Sequence, residues 1–336
     1  MKSRITLGCV VLIATACCTG PLAAVQLLVG SYQSNKHDDN EIHSYGLATA
    51  DLSYKTSSGG LHTPRAGVIG PDGNLYVTSI AKGEILRYNP ATGAFIDIFA
   101  KDGLAGPNGM ALGPDDNFYV ANSVGGGELR KIDGTTGADL GVFATGPHAD
   151  HEYNDLTFGP DHGDASANGF DLYVASASGG GQRGVLRFNG STGAFESRII
   201  GSAMKPGPLL VGNDYLYIGD QRGGDPPVQR YEWSSGALSV LVDLTEGADA
   251  GLTNVAGLAF DANGDLLASS FGATGDFNGD KVARMNISTG AYIDTFATVE
   301  NPTFLTVFIP EPSTLLLVGS ALGSLLTFGR RRKRLG

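Results

Sequence analysis

The stretch GPHADHEYND, residues 146–155, concentrates the side chains best suited to acid–base or metal chemistry. It holds His148, His151, Glu152 and Asp155, and lies in the connection into the first strand of a repeat. Two imidazoles and two carboxylates can bind zinc, or act as general acid and base. No helical periodicity brings the two histidines onto one face, and loop histidines are commonly just solvated. The sequence therefore favours a solvated loop over a site.

A second candidate is GDFNGDKVA, residues 275–283. Its oxygen-bearing side chains alternate as in a calcium loop: Asp276, Asn278 and Asp280. The calcium pattern then breaks, because Lys281 stands where glycine is expected and Ile287 stands where a bidentate acid would close the loop. The sequence predicts at most weak calcium binding here and favours an acidic Asx turn.

Other catalytic signatures are missing from the sequence. There is no GxSxG elbow, no HExxH helix and no P-loop. The glycine clusters 125–127 and 179–181 lie between β-prone runs and do not open helices. They are therefore interpreted as loops on one face of the fold and not as phosphate cradles.

The elements that must position these side chains are internal repeats. Residues 64–100, PRAGVIGPDGNLYVTSIAKGEILRYNPATGAFIDIFA, are matched by residues 107–144, PNGMALGPDDNFYVANSVGGGELRKIDGTTGADLGVFA, and the same order returns three more times up to residue 297. Each repeat is a set of four short β-prone runs, separated by turn residues that supply positive φ: Pro71-Asp72-Gly73 and Ala262-Asn263-Gly264 in the first turn, and Thr-Gly or Ser-Gly at 92–93, 136–137, 192–193, 235–236 and 289–290 in the last. Four antiparallel strands per repeat predict the blades of an all-β propeller.

The ends of the body complete a sixth blade. Residues 25–57 match the second, third and fourth strands of a repeat, and residues 301–308 match a first strand. We therefore predict a six-bladed β-propeller over residues 25–309, closed by pairing of its N- and C-terminal strands, which removes the exposed edges of an open ring.

Charge limits the partners of this body. The chain carries 23 Lys and Arg against 34 Asp and Glu, but seven of the bases and one of the acids lie in the terminal segments. The body is left with a net charge of −17. Nucleic acids are bound largely through bases that neutralise phosphate, so nucleic-acid binding is excluded as a function class.

The N-terminus, MKSRITLGCVVLIATACCTGPLAA, has the layout of a secretory signal peptide over residues 1–24. Two bases precede a helical apolar run, and small residues precede the expected cleavage after Ala24, which would be made by signal peptidase. All three cysteines lie in this segment, so the mature protein would have no thiol. A lipoprotein alternative, with lipid on Cys17 or Cys18, lacks the branched apolar residue expected upstream.

The C-terminus, IPEPSTLLLVGSALGSLLTFGRRRKRLG, joins a proline-rich break, an apolar run and a cluster of bases. An apolar helix over 313–329 is somewhat short of the roughly 30 Å hydrocarbon core, and the bases Arg330, Arg331 and Arg332 place its far end in the cytoplasm. The tripeptide Pro310, Glu311, Pro312 followed by this helix and these bases resembles the PEP-CTERM sorting signal of Gram-negative bacteria that make exopolysaccharide.

That resemblance implies a route for the protein. Segment 310–336 would hold it transiently in the inner membrane, and an exosortase would cut near the tripeptide. The propeller would then lie at the cell surface or in the extracellular matrix, where an exopolysaccharide or a surface protein could be its partner. An ordinary single-span anchor remains the alternative.

The body resembles NHL-type and gluconolactonase-like (regucalcin-like) propellers, most closely in PNGMALGPDDNFYVANS at 107–123. The resemblance implies a channel site with a divalent cation, such as calcium, held at the places of Asn108, Asn154 and Asp220. His151, in the connection into the third repeat, is expected near one mouth of that channel. The places equivalent to Asp220, at the ends of the second strands of the other blades, carry Ser31, Ser79, Asn122, Ser176 and Ser270. A single carboxylate makes a thin site for a hard cation, so polar residues lining a wet channel are the favoured interpretation.

Two functions follow from the sequence. The preferred hypothesis is an exported, non-catalytic binding protein, motivated by the sorting tail and the incomplete catalytic set. The alternative is a metal-dependent hydrolase of the gluconolactonase type that uses the central channel.

Overall fold

The computed structural model describes residues 24–32, 40–124, 126–147, 152–161, 169–177, 183–201, 204–221, 226–243, 252, 254–270 and 280–310. Within this part of the chain, 24 strands form six antiparallel sheets of four strands each. Residues 25–309 form one compact unit. The predicted signal peptide and sorting segment lie outside the described residues, apart from Ala24 and Pro310.

Each of the first five blades is a run of four consecutive strands. From the channel outward they are, in blade 1, β4 (Pro64–Ile69), β5 (Leu75–Ser79), β6 (Glu84–Tyr88) and β7 (Phe95–Ala100); in blade 2, β8 (Pro107–Leu112), β9 (Phe118–Asn122), β10 (Glu128–Ile132) and β11 (Asp139–Thr145); in blade 3, β12 (Tyr153–Pro160), β13 (Phe170–Ser176), β14 (Gly184–Asn189) and β15 (Phe195–Ile200); in blade 4, β16 (Pro206–Val211), β17 (Tyr215–Asp220), β18 (Val228–Glu232) and β19 (Leu238–Val242); and in blade 5, β20 (Val255–Phe260), β21 (Leu266–Ser270), β22 (Lys281–Met285) and β23 (Tyr292–Thr298). Short 3-10 turns occupy Ser58–Gly60 and Ile80–Lys82.

The closing blade joins the two ends of the body. Its inner strand is β24 (Pro302–Phe308), and β1 (Gln26–Ser31), β2 (Glu41–Gly46) and β3 (Leu52–Thr56) follow outward. Strand β24 pairs antiparallel with β1, with Gln26 opposite Phe308. The inner strands contact one another in a closed ring. The predicted six-bladed propeller, closed by its own termini, is confirmed.

The core lies between the blades. In the described residues, six hydrophobic clusters each join residues from two neighbouring blades around the ring. The cluster between blades 2 and 3, for example, contains Tyr119, Leu172 and Leu186, all buried. Burying a large apolar side chain contributes about 1.5–3 kcal/mol, so each blade depends on both of its neighbours for stability.

The turns follow the chemistry expected from the sequence. The glycine of the Thr-Gly or Ser-Gly pair that closes the last hairpin of blades 1–5 has φ between 71° and 73°. In blade 1, Asn89 precedes this glycine, and its Oδ1 accepts hydrogen bonds from the N–H groups of Ala91 and Thr92 at 3.0 and 3.1 Å. These Asx turns fix the hairpin geometry from short-range residues alone.

Asp116 departs from the pattern of the first hairpin turn. Gly73 and Gly264 occupy the left-handed position there with φ of 76° and 84°, whereas blade 2 places Asp116 at φ 59°. Replacing Asp116→Gly is expected to raise the free energy of unfolding by about 0.5–1 kcal/mol, because the left-handed conformation costs a Cβ-bearing residue energy. Urea denaturation of the two proteins measures the difference. Gly73→Ala is the matched control and should lose a similar amount, since no atom lies within 4 Å of its added Cβ. An unchanged midpoint for Asp116→Gly would contradict the assignment of strain to this turn.

The arginines of the third strands are bound within their own blades. Arg87 donates from Nε to Asp97 at 3.0 Å, the Nε of Arg187 lies 3.0 Å from Glu196, and Arg284 donates to Asp294 at 3.2 Å. Each acid lies on the neighbouring outermost strand, so these pairs tie the outer edge of a blade to its interior. Bases engaged in this way do not form a surface for anionic polymers.

Candidate functional site

The inner strands bring one residue from each blade to the wall of a central cavity. The ladder between the first and second strands is interrupted after the first inner-strand residue, for example between Pro107 and Met110 and between Tyr153 and Asp155. Such a bulge turns side chains out of the sheet register. The residues that follow the first position all line the cavity: Arg65, Asn108, Asn154, Gly207, Ala256 and Thr303. The cavity has a volume of about 540 Å³, within the usual range of ligand pockets.

Asn108 and Asn154, two of the predicted channel residues, lie together in this wall. The Nδ2 of Asn108 donates to the backbone oxygen of Tyr153 at 2.9 Å and to Oδ1 of Asn154 at 3.4 Å. The Nδ2 of Asn154 donates onward to the backbone oxygen of Pro206 and to Oε1 of Gln221, both at 2.9 Å. The two amides therefore join blade 2 to blade 3 and blade 3 to blade 4.

The glycine after Asn108 has a packing role. A Cβ on Gly109 would lie 2.5 Å from the Cα of Asp155 and 2.9 Å from the backbone oxygen of Asn154. These are backbone atoms of the next inner strand, which cannot move aside like the end of a side chain. The glycine of the Asn-Gly pair is thus required by the close approach of β8 to β12.

Asp220 does not line the cavity. It is 1% exposed at the end of β17, and its Oδ1 accepts a hydrogen bond from the backbone N–H of Lys205 at 3.4 Å. The equivalent positions make the same kind of contact to the segment that enters their own inner strand: Ser31 to Glu300, Ser79 to His62, and Asn122 to Gly103 and Ala105. The end of the second strand is therefore a loop anchor repeated around the ring.

Asp155 lies on the inner strand β12 and lines the cavity. The sequence places it in a connection, but β12 already begins at Tyr153, so the chain is extended there. Its Oδ2 accepts a hydrogen bond from the N–H of Leu209 on the next blade at 2.9 Å. Burial raises the pKa of Asp155 from 3.8 to about 7, although backbone donors favour its charged form. A carboxyl group that titrates near neutral pH and faces a cavity is a candidate for function.

The raised pKa of Asp155 makes stability depend on pH. Between pH 3.8 and about 7 the folded protein binds more protons at this group than the unfolded chain does, so its contribution falls as pH rises and is lost above the folded pKa. We expect Asp155→Asn to remove this slope and to stabilise the protein at pH 8 by about 1.4 kcal/mol for each pKa unit of the shift. Thermal melts from pH 4 to 8 measure it.

Asp116→Asn, which changes an exposed carboxylate of the same chain, is the matched control and should keep the wild-type slope. A flat wild-type profile, or an unchanged slope in Asp155→Asn, would contradict the assignment of the raised pKa to Asp155.

The cavity also carries charges that the sequence interpretation missed. Arg65 and Lys205 line it, together with Glu152 and Gln221. Alignment of the repeats contains the signal for Arg65, because PRAG at 64–67 places it where PNGM at 107–110 has Asn108. Nothing in the local pattern at Lys205 or Gln221 marks either residue.

The other predicted site residues are separated by the fold or lie beyond its described part. His148 and His151 lie outside the described residues, while Glu152 is exposed and lines the cavity. Asp276 and Asn278 also lie outside them. Asp280 is described, and its Oδ1 accepts the N–H of Asn301 at 3.0 Å, which fixes the entry to the closing strand.

No group of three or more His, Cys, Asp or Glu with metal-binding geometry occurs among the described residues. A divalent cation also fits the cavity wall poorly. Asp155 favours its neutral form, Asn108 and Asn154 use their amide groups between blades, and the guanidinium of Arg65 would repel the cation.

The comparison with protein families concerns the C-terminus. Residues 308–333 match the PEP-CTERM protein-sorting motif. The match includes Pro310, Glu311 and Pro312 as well as Arg330, Arg331 and Arg332. The PEP-CTERM motif marks the chain for export, for processing by exosortase and for surface or extracellular targeting. In the described residues no helix is long and apolar enough to span a membrane, and the predicted helix 313–329 lies outside them.

Solved structures share the propeller fold. The chain in a nidogen/laminin complex aligns with a TM-score of 0.63 at 15% identity, over 85% of this chain and 98% of that one. XC5397 from Xanthomonas campestris, described as a gluconolactonase, aligns with a TM-score of 0.58 at 14% identity, over 86% and 93%. A Bacteroides caccae protein of unknown function aligns with a TM-score of 0.62 at 14% identity, over 85% and 100%. At such identities the likeness shows the fold alone. No curated protein sequence matches the chain at a significant level.

Proposed function

We propose that this PEP-CTERM protein is an exported binding protein, displayed at the cell surface or in the extracellular matrix, whose propeller holds a small polar ligand in its central cavity without turnover. The proposal rests on one observation, the composition of the cavity wall. The polar wall combines amides committed to inter-blade hydrogen bonds with a half-buried cation, Arg65, and a carboxyl group, Asp155. Such a wall binds and orients a ligand, whereas acid–base catalysis also needs a positioned second titrating group.

A specific observation also favours the alternative, a metal-dependent hydrolase of the lactonase type. Asp155, Asn108 and Asn154 supply oxygen atoms to one cavity, on a fold shared with a gluconolactonase. Against this stand the poor fit of a cation beside Arg65 and the position of Asp220 behind the cavity wall. The binding function accounts for both of these features.

Metal content and lactone turnover decide between the two. We expect the full-length protein, purified in detergent without chelator, to contain no stoichiometric divalent metal and to leave gluconolactone hydrolysis at its uncatalysed rate. Asp155→Asn tests the cavity carboxyl group, and Asp220→Asn is the matched control, since Asp220 is buried outside the cavity. Stoichiometric metal that is lost in Asp155→Asn, together with lactone turnover, would overturn the binding function in favour of the hydrolase.

A further inference from the structure

Arg65 stands out among the residues of the cavity wall. It holds, on β4, the position that carries an amide in blades 2 and 3 and a small residue in blades 4 and 5. Its Nε–H group is buried and has no hydrogen-bond partner in the described part of the protein. Four other arginines also have an Nε without a hydrogen bond in the described residues, but among these five Arg65 alone lines the cavity. Leaving a buried donor unpaired is costly, and more so for a charged group, so a ligand in the cavity can supply the missing partner.

The charge of the cavity favours an anion. Arg65 and Lys205 line it, opposed by Glu152 and by Asp155. Burial lowers the pKa of Arg65, whereas Tyr32 and Glu152 favour its charged form, and a guanidinium stays protonated at any physiological pH. The unpaired donor therefore belongs to a cation, and two cations line the cavity of a body whose net charge is −17.

We propose that the central cavity binds a small carboxylate and that the guanidinium of Arg65 is its anchor. The inference rests on the proposed binding function and names the ligand class of that site. A planar guanidinium matches a carboxylate with two parallel hydrogen bonds. The donors of Arg65 and Lys205 favour a carboxylate, whereas the charge on Glu152 disfavours a dianion such as phosphate.

The size and the rest of the wall agree with a ring-bearing ligand. The volume of about 540 Å³ holds a molecule the size of one or two sugar rings. Beyond the polar residues the wall includes apolar side chains such as Val68, Leu112 and Phe158, which offer apolar surface to the body of the ligand. The carboxylate supplies orientation at Arg65, and the ring supplies contact area.

Calorimetric titration of the full-length protein with glucuronate, glucose and inorganic phosphate tests the proposal. Glucuronate and glucose are matched in size and differ in the carboxylate, so the pair isolates its effect. We expect glucuronate to bind at least about tenfold more tightly than glucose and phosphate, the size of one charged hydrogen bond. Arg65→Gln should remove this preference. Arg65→Lys should restore part of it, because lysine keeps the positive charge but lacks the two parallel N–H donors of a guanidinium.

Two further variants separate a specific anchor from general charge. Lys55→Gln removes one base from the outermost strand of the closing blade, so it should bind glucuronate like the wild type. Asp155→Asn keeps an oxygen that accepts the N–H of Leu209 but removes a carboxyl group from the cavity, so it should bind glucuronate at least as tightly as the wild type. Melts of each variant confirm that the fold is retained.

Each remaining outcome has a definite meaning. Equal binding of glucuronate and glucose that is unaffected by Arg65→Gln would overturn the carboxylate class and leave a binding cavity. Tighter binding of phosphate than of glucuronate, or no binding of glucuronate at millimolar concentration, would also overturn the carboxylate class. Lactone hydrolysis would overturn the proposed binding function instead, whether or not Arg65 binds glucuronate.

Discussion

Deletion of residues 301–309 is expected to abolish the cooperative unfolding transition of the propeller. This deletion removes β24, which pairs with β1 and contacts the inner strands of both neighbouring blades. It also removes three buried large side chains, each worth about 1.5–3 kcal/mol, from a fold whose net stability is typically about 5–15 kcal/mol. They are Phe304, Leu305 and Phe308. Thermal melts followed by circular dichroism measure the transition.

Ending the chain after Ile309 provides the matched control for this deletion. That chain keeps β24 complete and should melt like the full-length protein, because the strand ends at Phe308. A cooperative melt in the 301–309 deletion, at the wild-type temperature, would mean that the ring closes without β24. Noncooperative melting of both chains would place part of the core beyond Ile309.

Substitution of Phe304 alone also tests the closure of the ring, and it removes less stability than the deletion of β24. Phe304 is 4% exposed and fills a slot between Gly30 and Gly67, where an added Cβ would lie 2.4 and 2.3 Å from its ring. Phe304→Ala therefore creates a cavity between the closing blade and blade 1, and such changes cost about 3–5 kcal/mol. Ile309→Ala, at a residue 70% exposed, should leave the melt unchanged.

The architecture could be predicted from the sequence because its determinants are local and repeated. Turn glycines, Asx residues and alternating β-prone runs recur in each repeat, and the leftover strands at 25–57 and 301–308 complete one further blade. Pairing of β24 with β1 is a long-range contact, but it follows from counting strands. Because the ring must close, the leftover strands at the two ends can only pair with one another and complete the sixth blade.

The site could be predicted only in part, because its side chains are placed by contacts between blades. Asn108 was identified by its position, yet its hydrogen bond to the backbone of Tyr153 depends on how closely β8 approaches β12. The family resemblance predicts Asp220 as a ligand and a local pattern predicts Asp280, and in the structure both carboxylates accept backbone N–H groups, those of Lys205 and Asn301. A local pattern of carboxylates does not distinguish a ligand for a metal from an acceptor for a loop.

Arg65 is a cavity residue that the sequence analysis does not identify. Its local sequence, Pro-Arg-Ala-Gly, matches no motif, and its interest comes from an inner-strand bulge and the absence of a partner for Nε in the described residues. Both features arise from tertiary packing. Comparing equivalent positions across the repeats is the step that brings such residues to notice.

Removal of the tail after Ile309 is expected to abolish surface retention while leaving the melt of the propeller unchanged. The PEP-CTERM motif at 308–333 directs export and processing, whereas β24 already completes the ring. Fractionation of cells expressing the truncated chain should find it in the medium, or in the periplasm, and not on the surface. An intact mass of the native surface form should show an N-terminus near Val25 and a C-terminal cut near Pro310; a mass that includes Met1, or lipid on Cys18, would contradict this processing.

Neutral replacement of Arg330–Arg334 also tests whether the tail directs sorting without contributing to the fold. Loss of these bases removes the cytoplasmic stop of the predicted helix 313–329, so the chain should pass through the membrane uncut and leave the surface fraction. The fold should not respond, because the bases lie beyond the compact unit of residues 25–309. If the tail instead belonged to the core, either change would lower stability by the amount that burial of several leucines supplies, about 1.5–3 kcal/mol each. A drop of that size in the melt, compared with the processed native protein, would refute the role of this segment as a sorting tail.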